Sequence, residues 1–70
     1  MISIFLNGET REIPGDLTLE ALVEWMKVSA DRVAIERNLE IVPRRLWSAT
    51  RIAAGDRLEI VHFVGGGTQD

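Results

Sequence analysis

The residues best suited to chemistry stand near the end of the chain: Gly65-Gly66-Gly67, followed by Thr68-Gln69-Asp70. A glycine run brings no side-chain nucleophile, acid or metal ligand. What it brings is a thin backbone, free to take angles that a Cβ forbids, able to enter a narrow pocket of another protein. The same run also reads as a frayed terminus, and a short glycine tract alone does not decide between the two. The other side chains assemble no catalytic set. There is no cysteine and a single histidine, His62, so disulfides and thiolate metal sites are excluded and no histidine cluster can form. No Ser/His/Asp set, phosphate-binding loop or paired-carboxylate site is discernible, and His62 reads as an ordinary strand residue.

Composition sets the scale. Seventy residues make one small domain, which buries only about 60% of its unfolded surface and has little room for a deep cleft. Apolar residues at 46% and charged residues at 27% describe a globular chain rather than a disordered one. The formal net charge of −3 argues against a general nucleic-acid binder, while leaving room for a local basic patch. No apolar run approaches the ~20 residues that a membrane helix needs. The N-terminus lacks a basic n-region and enters strand-like sequence at once, so no signal peptide is expected. Absence of cysteine fits a reducing compartment. The expectation is a cytoplasmic protein, monomeric when free, with no membrane or nucleic-acid partner.

The elements that must position the glycines follow from periodicity. Ile2, Ile4 and Leu6 alternate onto one face of a first strand, Met1 to Leu6. Asn7-Gly8 is a type I′ hairpin signal, and Glu9 to Ile13 returns as a polar second strand near an edge. Pro14-Gly15-Asp16 breaks it. Thr18 suits a helix N-cap, Glu20 and Glu24 suit the positive end of the dipole, and Leu19, Leu22, Val23 and Met26 form one apolar stripe. Trp25 lies off that stripe and reads as core-edge packing. Val33 to Arg37 reads as a third strand, and Asn38-Leu39 turns into a short strand, Glu40 to Val42, that Pro43 stops. Arg44 to Trp47 reads as an irregular or 3₁₀ turn with Leu46 and Trp47 tucked into the core margin. Ala54-Gly55-Asp56 is a turn, and Arg57 to Val64 is the longest strand. The predicted fold class is α+β: a mixed sheet of four to five strands gripping one helix, with a right-handed crossover that sets a later strand parallel to the first. That is the β-grasp, or ubiquitin-like, architecture, with a domain over residues 1–64 and a tail over residues 65–70.

On this framework the chain resembles the ThiS family, the sulfur carrier proteins of thiamine biosynthesis. The resemblance is carried by Ile60-Val61-His62-Phe63-Val64-Gly65-Gly66-Gly67, Phe5-Leu6-Asn7-Gly8, Glu36-Arg37-Asn38, Ile41-Val42-Pro43-Arg44 with Trp47, and Gly55-Asp56. It spans Met1 to Gly67. The resemblance implies a carrier that is itself a substrate rather than an enzyme. A ThiF-type adenylating enzyme, using ATP and Mg, joins AMP to the terminal glycine carboxylate. Sulfur then replaces AMP and leaves a thiocarboxylate. Thiazole synthase takes that sulfur while building a thiazole from a sugar phosphate and a glycine-derived imine. No cofactor is held by the carrier. By position, Gly67 is the activated residue and Gly65 and Gly66 are the thread that enters the ATP pocket.

Thr68, Gln69 and Asp70 depart from the family pattern, which ends at the diglycine. With them in place the carbonyl of Gly67 is in a peptide bond. The expectation is that a tail-trimming peptidase removes the three residues; a carrier out of service and a cloning remnant are the alternatives.

Strand alternation puts Leu58 and Ile60 on one face of the last strand and Val61 and Phe63 on the other. If the first face meets the helix, Val61 and Phe63 lie on an open face, with Phe5 beside them once the strands pair. Partner docking is one reading of such a patch, and shielding by a loop through Trp47 is the other. Arg37, Arg44, Arg45, Arg51 and Arg57 either ring the tail or solvate the surface. Two further function classes stay open: a carrier for another acceptor, of the molybdopterin synthase small-subunit type, and a β-grasp interaction module whose tail is inert.

Overall fold

A computed structural model describes residues 1–63 of the chain. Strand β1, Ile2–Leu6, and strand β2, Glu9–Ile13, form the expected hairpin, paired from Ile2 opposite Ile13 to Leu6 opposite Glu9. Its turn works because both central residues accept positive φ: Asn7 at 51° and Gly8 at 83°. Helix α1, Leu19–Met26, starts where the Thr18 hydroxyl accepts the Ala21 N–H at 3.1 Å. It ends at Lys27, whose φ of 61° turns the chain out of the helix.

A short 3₁₀ turn, Ala30–Arg32, leads into β3, Val33–Arg37, and a second tight turn leads into β4, Glu40–Ile41. A longer 3₁₀ segment, Arg44–Ala49, crosses back before β5, Arg57–His62. The sheet order is β2-β1-β5-β3-β4, with β5 parallel to β1 and antiparallel to β3. The mixed sheet packed on one helix is the β-grasp arrangement expected from the order of the elements. Because parallel strands need a crossover, α1 must lie across one face, and its stripe of Leu19, Leu22 and Val23 is buried against that face. Ile4, Ile35, Leu58 and Ile60 meet it from the sheet side.

Two local expectations differ in detail, and a third is not reached. The fourth strand stops at Ile41 rather than Val42, although the Val42 N–H still reaches the Ile35 carbonyl at 3.0 Å. Leu46 is exposed, and Trp47 alone fills the core margin, with its indole N–H on the Val42 carbonyl at 2.9 Å. A buried indole needs such an acceptor, and the 3₁₀ turn supplies it by bending the chain back on itself. The end of the last strand, Val64, lies outside the described residues. Among those described, no helix is long and apolar enough to cross a membrane.

Candidate functional site

The site is built on β5, the strand that runs toward the glycines. Its alternation is as expected: Leu58 and Ile60 are buried under α1, while Glu59, Val61 and Phe63 face away. Val61 and Phe63 are 52% and 55% exposed, so no loop among the described residues covers them. Trp47 in particular is committed to the helix side of the sheet and shields nothing here.

Register decides what accompanies them. On one side Ala34 pairs with Val61 and Glu36 with Glu59, and the Phe63 N–H bonds to the Arg32 carbonyl at 2.8 Å. On the other side Phe5 pairs with Arg57. Phe5 therefore does not lie beside Val61 and Phe63. It sits four residues back along β5, about 13 Å at the usual rise of a strand, with Glu59 in between. The Arg57 guanidinium stands over the Phe5 ring, 5.9 Å from its centroid, which places a cation at that end of the face.

The open face thus has two apolar areas separated by a like-charged pair, Glu36 and Glu59, directly across from one another. Leu39, in the β3–β4 turn, and Ile41, on β4 opposite Glu36, join it, both largely exposed. A shallow hollow bordered by Phe5, Asn38, Leu39 and Arg57 marks the first apolar area. Sequence reasoning passed over Leu39 and Ile41. The signal available was Asn38-Leu39 itself, because the second position of such a turn usually carries glycine, and here a leucine holds φ at 74°.

Three of the five arginines Arg37, Arg44, Arg45, Arg51 and Arg57 form ion pairs. Arg37 pairs with Asp56, Arg44 with Asp31, and Arg51 with Asp16. Arg37 and Arg57 lie at the start of β5, with Arg57 over Phe5, whereas the Arg44–Asp31 pair stands next to Arg32, whose carbonyl holds the Phe63 N–H. Gly65, Gly66 and Gly67, with Thr68, Gln69 and Asp70, lie outside the described residues.

The ThiS family profile matches residues 4–67, ending at the last glycine. The chain is 43% identical over 67 residues to a thiazole synthase of Paramagnetospirillum magneticum, covering 96% of this chain and 21% of that protein. It spans about a fifth of the length of the thiazole synthases it matches. It is 35% identical over 63 residues to the sulfur carrier protein ThiS of Bacillus subtilis, covering 89% of this chain and 96% of that one. A crystal structure of the thiamine biosynthesis protein ThiS from Geobacter metallireducens superposes with a TM-score of 0.82 at 30% identity, covering 94% of this chain and all of that one.

Proposed function

The chain belongs to the ThiS family, and from that membership we propose that it is a sulfur carrier of thiamine biosynthesis, acting through a thiocarboxylate at Gly67. A carboxylate is a poor acyl donor. Its oxygen attacks the α-phosphate of ATP, pyrophosphate leaves, and the resulting acyl adenylate carries AMP as a good leaving group. A bisulfide-equivalent donor then attacks the carbonyl carbon, AMP departs, and a C–S bond stands where a C–O bond was. The carrier catalyses none of these steps and holds no cofactor; the ATP and Mg belong to a ThiF-type adenylating enzyme. The setting is the cytoplasm.

The observation that supports this reading is the family match running through residue 67 on a chain whose last strand leads into three glycines. Side chains there would obstruct a pocket that must close around the terminal carbonyl and a nucleotide. Thiazole synthase is the acceptor in this reading, in keeping with relatives of that name that contain a stretch similar to this chain. Phe5, Val61 and Phe63 are the docking residues, now as two separate contacts. Thr68, Gln69 and Asp70 must be removed by a peptidase before the carboxylate of Gly67 exists.

A chain ending at Gly67 is expected to support ATP–pyrophosphate exchange with the adenylating enzyme, and after sulfur transfer to gain the mass difference between oxygen and sulfur. The chain carrying Thr68-Gln69-Asp70 is expected to be inert in the same mixture. Gly66→Phe in the trimmed chain should abolish exchange and leave the fold intact. If the chain ending at Gly67 is not adenylated, the reading is wrong.

A further inference from the structure

Two turns of this fold share an unusual device, and one of them bears on the tail. Along β5, backbone groups alternate in direction. Arg57 and Phe63 bond toward β3, so Leu58, Ile60 and His62 point toward β1. The ladder with β1 begins regularly: the Asn7 N–H reaches the Leu58 carbonyl at 2.9 Å. Its next acceptor should be the main-chain carbonyl of Asn7, but at φ 51° the chain has already turned into the hairpin. The side chain takes over. Asn7 Oδ1 accepts the Ile60 N–H at 2.8 Å, and Nδ2 donates to the Ile60 carbonyl at 3.3 Å.

Asn38 repeats the substitution on the other edge of β5. At φ 52° its N–H reaches the Arg57 carbonyl at 2.7 Å, while its Oδ1 accepts the Arg57 N–H at 3.0 Å. Asparagine is suited to both places. It tolerates the left-handed backbone of the turn and carries a carbonyl of its own, where glycine offers only the backbone freedom. The Asn38 contact sits at the start of β5. The Asn7 contact sits near its end and is the last bond that the β1 side makes to β5 among the described residues.

We propose that Asn7 is a positioning residue for the reactive tail: its carboxamide extends the β1–β5 ladder to Ile60 and so holds the direction in which β5 leaves the domain. The inference rests on the carrier reading, and it concerns how the tail is delivered rather than what is done to it. A strand end held on both edges presents the following glycines from a fixed base. An end held only by β3 loses that direction, and docking must restore it at a cost in ordering.

The test uses the chain ending at Gly67 in three forms: parent, Asn7→Gly and Asn7→Asp. Glycine keeps the turn and loses both side-chain bonds; aspartate keeps the acceptor for the Ile60 N–H and loses the donor. For Asn7→Gly, amide exchange at Ile60 is expected to rise at least tenfold beyond any change at Ile35. In adenylation its KM should rise about tenfold with kcat little changed. Asn7→Asp should recover most of the Ile60 protection and part of the KM. Faster exchange at Ile60 with an unchanged KM would leave Asn7 a purely structural residue and overturn the proposal, as would unchanged exchange at Ile60. Should Asn7→Gly fail to fold, Asn7→Asp carries the test, and a KM equal to the parent's despite a lost Nδ2 bond counts against the role. A parent chain that is not adenylated at all signals failure of the carrier reading instead.

Discussion

Arg37 and Asp56 bind together the start of β5: the guanidinium Nε stands 2.9 Å from Asp56 Oδ2, and that carboxylate is almost wholly buried. The same Asp56 oxygen accepts the Ala53 N–H at 2.8 Å, and its main-chain carbonyl accepts the Phe5 N–H at 2.9 Å. One residue therefore joins the turn before β5 to both flanking strands.

Removal of that carboxylate should be expensive. Asp56→Ala leaves the Ala53 N–H without its acceptor and the Arg37 side chain, about one-third exposed, without its partner. A loss of about 2–3 kcal/mol is expected, and about 1 kcal/mol for Asp56→Asn, which keeps an acceptor oxygen. Urea unfolding followed by circular dichroism measures both. A change under about 0.5 kcal/mol in Asp56→Ala would show that the pair contributes little.

Leu39 offers the opposite sign. Its φ of 74° is costly for a residue with a Cβ, and its side chain is 77% exposed, so little packing is at stake. Leu39→Gly should raise stability by about 0.5–1 kcal/mol, the relief of strain being partly offset by the greater freedom of the unfolded chain. A lower melting temperature in that variant would mean that Leu39 makes a contact worth more than its strain.

The open face should behave as two contacts and not as one patch. Phe5 stands opposite Arg57, and Val61 stands opposite Ala34. At about 13 Å apart along the strand, residues usually act independently. In binding to the adenylating enzyme, Phe5→Ala and Val61→Ala should each weaken the complex, and together their effects should add within about 0.5 kcal/mol. Val61→Asp or Phe63→Asp should cost on the order of 2 kcal/mol or more in a folded domain. Strong coupling in the cycle would require one continuous contact, and unchanged binding of the aspartate variants would remove this face from the interface.

Much of this architecture is written in short stretches. Asn7-Gly8 specifies its hairpin because only a few residue types accept two successive positive φ values. Thr18 and the stripe from Leu19 specify the helix start and its buried face, and alternation in Leu58 to Val61 specifies which side of β5 meets that helix. A single helix between two hairpins then implies the parallel crossover. Gly65-Gly66-Gly67 likewise stand out from sequence, since a run of residues without side chains is a local property.

The register was not legible in the same way. Alternation repeats every two residues, so sliding β1 along β5 by two positions leaves every side chain on its proper face. Phe5 beside Val61 and Phe5 beside Arg57 are equally good patterns. What selects the second is a set of bonds between the two ends of the chain: Phe5 to Asp56, Asn7 to Leu58, and the Asn7 carboxamide to Ile60, 53 residues away. Such bonds exist only once the chain has closed on itself, and for that reason the sequence alone determined the faces of β5, while the tertiary structure decided the rows.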